Sequence, residues 1–309
     1  MKTIYTLLLA FFFLSQLNAQ NNTLTKAETD TMITEFCDVL NKTYFDKVMS
    51  EVITDTLQKR LKDGDLYDVP NITGKLTSLL RELTNDIHFF VGVNPVREEG
   101  RRPRQERPYN NGGFSEARII DDNIGYIKWN DFTANDDSFQ KIIAGLQFIK
   151  GCEYLIFDIS KCPGGDGRIG GFVQTHLFRN KSYQDLLLKR CSGESDWYQS
   201  EVPYNYSNGP KFYDIPVYVM VSKGTASAAE YFAWILQEMG RATILGETTA
   251  GAGNPITRVQ FGNYFAFIPI CQITTKDGRS IEAKGVIPDV EIQTDSLLQE
   301  TIKYIRDNN

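Results

Sequence analysis

Histidine is scarce in this chain: two residues, His88 and His176, in 309. Any chemistry that needs an imidazole base must use one of them. Five cysteines lie scattered at 37, 152, 162, 191 and 271, with no C-x-x-C pair and no metal-ligand spacing, which argues against a zinc or iron–sulfur module. H-E-x-x-H and H-x-x-E-H are missing, as are the P-loop pattern G-x-x-x-x-G-K-[ST] and the nucleophile-elbow pattern G-x-S-x-G. Zinc-protease, P-loop and ordinary α/β-hydrolase chemistries therefore lose support. No apolar run reaches the roughly 20 residues of a membrane span. The net charge of −6 excludes a generally basic surface and speaks against nucleic acid as a partner. Neither repeats nor low-complexity tracts are visible.

The chain opens MKTIYTLLLAFFFLSQLNAQ, with Lys2, the apolar stretch LLLAFFFL and a small residue at Ala19. That layout predicts a signal peptide over residues 1–19 and a mature protein that is exported, to a periplasm or outside the cell. The odd cysteine count leaves at least one unpaired. Cys37 and Cys152 sit in apolar segments and read as small buried residues. Residues 20–94 carry apolar side chains at helical spacing (Met32, Phe36, Val39, Leu40; later Leu76, Leu79, Leu80, Leu83) and read as a helical N-terminal domain. The segment 95–113, with the run REEGRRPRQER, reads as a solvated loop or linker. From 114 to 309, short buried strands alternate with helices, which predicts an α/β core with much parallel pairing.

In open α/β sheets a site lies beyond the carboxyl ends of the strands, and two strand ends here are unusual. The first, FDISKCPGGDGRIGGF, contains G-x-G-x-x-G at Gly165, Gly167 and Gly170. A dinucleotide cradle fits poorly, because five residues separate the strand from the first glycine and Pro163 removes a donor. Cys162 beside these glycines has no histidine near it in sequence. The second strand end is KGTASAAE. Ser227 there could be an accessible nucleophile at a helix N-terminus, where free N–H groups suit an oxyanion. Its S-x-x-E spacing to Glu230 is equally that of a capping box. Of the two histidines, His176 lies inside a helix with an apolar side, whereas His88 follows a helix end and is placed to reach another segment.

The ordered set NDIHFF, NIGYIKWNDF, LIFDISKCPGGDG, VYVMVSKGTASAAEYFA, ATILGETTAGAG and IEAKGVIPDVEI resembles the tail-specific (C-terminal processing) serine peptidase family. It is similar in particular to the branch that includes tricorn protease and the interphotoreceptor retinoid-binding protein. The resemblance runs from about residue 75 to 293 and implies a ClpP/crotonase-like core. It implies Ser227 as nucleophile. The lysine of the Ser–Lys dyad found in many members falls on Ala252, so that dyad is missing. The histidine-using branch points instead to His88, in Asp86-Ile87-His88, as general base, and to Glu282 as the carboxylate that orients it. Gly164 or Gly165, with Ala228, would then form the oxyanion hole. No metal or organic cofactor is implied, and the expected partner is a peptide or unfolded protein, without stable membrane insertion. Between His88 and Tyr126 there is no room for the PDZ domain common in the family, so substrate choice falls to the helical domain and the 94–113 loop. The retinoid-binding relatives keep a second reading open: a non-catalytic carrier of an apolar ligand or peptide.

Overall fold

The computed structural model describes residues 23–94, 113–200 and 208–308. The expected signal peptide lies outside these residues, as does the expected loop apart from Gly113. Among the described residues no helix is long and apolar enough to cross a membrane.

Three helices come first: α1 (Lys26–Thr43), α2 (Lys47–Asp63) and α3 (Ile72–Thr84). Each starts on a side-chain cap: Thr25 in a capping box with Glu28, then Asp46, then Asn71. α3 stops because Asn85 adopts a left-handed conformation (φ 55°), which turns the chain directly into Asp86 and His88. The apolar faces meet at Phe36, Leu40, Leu57, Leu76 and Leu80. This cluster is not closed by helices alone. β1 (Phe90–Val93) pairs antiparallel with β10 (Tyr264–Pro269), which pairs with β9 (Ile256–Phe261). The small sheet contributes Val91, Phe261, Ala266 and Ile268 to the helical core.

The central sheet has six strands in the order β12-β8-β7-β4-β3-β2. β2 (Phe114–Ile120) is antiparallel to β3 (Ile124–Trp129). β3, β4 (Tyr154–Asp158), β7 (Val217–Val221), β8 (Thr243–Gly246) and β12 (Val290–Glu291) are mutually parallel, so their carboxyl ends share one edge. Period-two alternation divides the side chains between two faces. Leu155, Phe157, Val217, Val219 and Val221 face α4 (Asp136–Phe148), α5 (Gly167–Leu177) and α6 (Ala228–Glu238). Ile156, Tyr218 and Met220 face the terminal helix α7 (Leu297–Asn308). Phe232 of α6, 2% exposed, packs between Phe132 and Phe157. Such burial contributes about 1.5–3 kcal/mol per side chain.

A third sheet, β11-β5-β6, joins β5 (Leu187–Cys191) to β11 (Cys271–Thr275) and carries a disulfide between the register partners Cys191 and Cys271. Its third strand is β6 (Tyr198–Gln199). Cys37, Cys152 and Cys162 are free and buried.

Candidate active site

β4 and β7 lie side by side and both end at the site edge. The loops that follow them are stitched together. The Thr225 hydroxyl donates to the Ile159 carbonyl at 2.9 Å, the Ala226 N–H to Cys162 O at 3.1 Å, and the Ser222 hydroxyl to Ser160 O at 2.5 Å. Asp158, at the end of β4, fixes Ser160 through both its N–H (3.0 Å) and its hydroxyl (2.6 Å).

Ser227 stands at the turn from β7 into α6 with φ 55° and ψ −126°. That conformation costs a non-glycine residue on the order of 1–3 kcal/mol. A strained strand-to-helix turn of this kind is the geometry that exposes a serine in a nucleophile elbow, although the surrounding G-x-S-x-G pattern is missing. The space comes from elsewhere. A Cβ on Gly164 would lie 2.5 Å from Ala226 O and 2.9 Å from both Ala228 N and Ser227 Cβ, and Gly164 itself has φ 92°. The opposite loop thus supplies the glycine on which the serine leans.

Of the two readings of S-x-x-E, both parts are now visible. Glu230, fully buried, accepts from the Ser227 N–H (2.8 Å), from Gly251 N (2.7 Å) and Ala252 N (2.8 Å), and from the Thr249 hydroxyl. The Glu230 N–H goes to the Ser227 carbonyl at 2.8 Å rather than being held by the Ser227 hydroxyl. The glutamate serves structure and the hydroxyl is left over. Among the described residues, nothing accepts the N–H of Gly164, Gly165 or Ala228. Ser227, Gly165 and Ala228 line a cleft of ≈ 450 Å³, with Tyr231, Phe232, Gly253 and Ile256 among its other walls.

A second cluster gathers on the far side of Gly253. His88 Nδ1 lies 3.1 Å from Asp86 Oδ1, which also accepts the His88 backbone N–H at 2.9 Å. Asn254 Nδ2 donates to the other Asp86 oxygen at 2.9 Å. A carboxylate only accepts, so this contact puts a proton on Nδ1, and in the neutral imidazole the lone pair is then on Nε2. Nε2 is buried and has no partner among the described residues. Glu282 Oε2 accepts from Gly253 N (2.6 Å) and Asn254 N (2.8 Å), while Oε1 has no partner. Burial and the neighbouring Asp86 push the Glu282 carboxyl up to about 7, opposed by His88 and by the two backbone donors. Burial, then Asp86, Asp46 and Glu282, raise the phenol of Tyr44, which stays neutral against this cluster.

Asp86, His88 and Glu282 therefore come together, with ligand-type atoms within 4.8 Å of one another. The ring's hydrogen bond goes to Asp86, not to Glu282. Ser227 and His88 make no hydrogen bond with each other; the two half-sites meet through Gly253, whose N–H binds Glu282 and whose carbonyl accepts the Tyr231 hydroxyl. A histidine with two carboxylates is a donor set that suits a cation, but three of its four carboxylate oxygens already accept protein N–H groups. The position corresponding to the dyad lysine, Ala252, is 3% exposed. His176 is fully buried, hydrogen-bonded to Pro210 O at 2.6 Å, and burial pushes its pKa down to about 4, so it stays neutral inside the fold. Burial likewise pushes the Cys162 thiol up to about 12, which removes it as a nucleophile.

The profile of peptidase family S41 matches residues 123–292. The chain belongs to this family. It is 28% identical over 192 residues to the carboxy-terminal processing protease CtpB of Bacillus subtilis, covering 62% of this chain and 38% of that protein. It is 33% identical over 184 residues to the chloroplastic carboxyl-terminal-processing peptidase 3 of Arabidopsis thaliana, covering 58% and 34%. The chain thus spans well under half the length of these relatives. Among solved structures, a putative peptidase from Parabacteroides merdae superposes with TM-score 0.66 at 15% identity, over 90% of this chain and 96% of that one. The photosystem II D1 C-terminal processing protease gives 0.55 at 18% identity, over 84% and 92%. At these identities the superpositions establish the S41 peptidase fold: a helical N-terminal region and a central mixed sheet. The family is one of serine-type peptidases. Ser227, Gly164, Gly165, Ala228 and Glu282 lie inside the matched span, and His88 lies before it.

Proposed function

We propose that this protein is an exported serine endopeptidase that cuts peptides or unfolded protein tails through an acyl-enzyme on Ser227. The observation that carries this reading is the elbow: a strained serine with an uncommitted hydroxyl beside unconsumed N–H groups. His88 takes the Ser227 proton on Nε2 as the hydroxyl attacks a peptide carbonyl. Such contacts are often long in unliganded enzymes and tighten around substrate. Asp86 holds the ring through Nδ1, and ionised Glu282 adds a second negative charge facing the imidazolium. Gly164, Gly165 and Ala228 receive the oxyanion. His88 then protonates the leaving amine, and water releases the acyl group. None of these steps calls for a metal or organic cofactor. The Cys191–Cys271 bond supports an oxidising compartment, in keeping with the expected leader.

A fluorophosphonate probe tests the reading. Labelling of the wild type that disappears in Ser227→Ala and in His88→Ala is the expected result. No labelling of the wild type would sink it and leave a carrier of an apolar ligand or peptide.

The pH dependence gives a second handle. The useful form of Glu282 is ionised, so the rate falls as pH drops through about 7. That acid limb should move in Glu282→Gln; an unmoved limb removes Glu282 from the mechanism. Stability carries the opposite sign. A carboxyl whose folded pKa is raised binds its proton more tightly in the folded state, so its contribution grows as pH falls from about 7 toward the ordinary carboxyl range.

A further inference from the structure

Beside Ser227 the cleft extends along α5. Gly167, Gly170, Gly171 and Gln174 of that helix line it, at the spacing that puts residues on one helical face. Glycine holds three of the four positions: Gly167 leaves open space, with nothing within 4 Å of a Cβ built there, while Gly170 lets α5 pack closely on Phe232. The facing wall is apolar: Phe232 and Ile235 of α6, Leu187 of β5 and Ile273 of β11.

Gln174 does not belong to an apolar slot. It is 2% exposed, yet its side-chain amide has no hydrogen-bond partner among the described residues. The residue lines the cleft, so that is where a partner for its amide can enter. The amide offers both donors and an acceptor, so it suits a neutral hydroxyl or amide. It does not suit a charged tip, which would be buried without a counter-ion. Arg168, on the same lining, is held by Asp166 through both carboxylate oxygens. Seven residues at a rise of ~1.5 Å place Gln174 about 10 Å along the axis from Gly167.

We propose that this slot is the specificity pocket for the residue whose carbonyl Ser227 attacks, and that it selects a neutral side chain with an apolar stem and one hydrogen-bonding tip, tyrosine first and glutamine second. The proposal rests on the peptidase reading of Ser227. Gln174 acts as the polar end-stop and the aliphatic and phenyl walls hold the stem.

Two measurements test it and separate its failure from that of the peptidase reading. The first presents a peptide set that varies only at the attacked residue (Tyr, Gln, Phe, Leu, Lys, Ala) and follows cleavage by mass spectrometry. Wild type should favour Tyr over Phe by about tenfold in kcat/KM, the size of one hydrogen bond. Gln174→Leu, with folding checked by circular dichroism, should lose or invert that ratio. Cleavage with Phe equal to or above Tyr in the wild type overturns the slot while leaving the peptidase standing. So does a Tyr preference that survives in folded Gln174→Leu. The second titrates acyl-product peptides ending in Tyr or Phe into Ser227→Ala, where turnover plays no part. Tighter binding of the Tyr peptide supports the slot even if the wild type cleaves nothing. Equal binding overturns it.

Discussion

Two helices, α5 and α6, begin at the same edge of the same sheet, and their first turns are finished in opposite ways. Asp166 caps α5 conventionally: its side chain accepts the Arg168 N–H at 2.9 Å, and the Arg168 guanidinium closes over both carboxylate oxygens. At α6 the residue in the capping position withholds its side chain. Ser227 is strained, its hydroxyl caps nothing, and the glutamate three residues on bonds its backbone N–H instead. Both termini carry the same partial positive charge. What separates them is whether the first donors are consumed. An α-helix N-terminus marks a site only when something in the fold prevents the ordinary cap from forming.

This contrast can be broken from either side. Gly164→Ala has the largest expected effect. Its Cβ would meet Ala226 O, Ala228 N and Ser227 Cβ, all within 2.9 Å, at a φ of 92°. Displacing the oxyanion donors should lower kcat by about 10²–10³-fold. Unchanged steady-state hydrolysis would show that α6's open terminus takes no part. Asp166→Ala should produce the smaller, differently placed effect: about 1 kcal/mol of stability lost in urea denaturation. Its kcat should fall far less than that of Gly164→Ala. A reversal of those two rankings would mean that α5, not α6, presents the working terminus.

The parts of this molecule that the sequence displays are those written in local periodicity. Alternating buried strands and helices, the helix after TASAAE and the final amphipathic helix all follow from spacing within ten or fifteen residues. What it hides is long-range. Phe90–Val93 reads as the tail of a helical segment, yet it is a strand whose partner lies at 264–267. The bond from Asn254 to Asp86 spans 168 residues and the disulfide 80, and nothing near either end announces them. Asp86 was visible only as part of the segment that contains His88; its hydrogen bond to the ring comes from the fold. S-x-x-E could not say which half of the capping box would form. The G-x-G-x-x-G glycines divide by conformation: Gly165, like Gly164 just before the motif, has positive φ, while Gly167 and Gly170 sit inside α5, Gly170 against Phe232. The fingerprint mixes one loop that needs bare backbone with one helix that needs close packing.

The route of the Asp86–Asn254 hydrogen bond has a consequence in time. A chain made from its N-terminus presents the histidine first, the serine about midway through the later half, and the second carboxylate nearly last. Hydrolysis on the proposed reading cannot begin until residue 282 has emerged and folded back against the first helices. The order of synthesis then works as a safety catch.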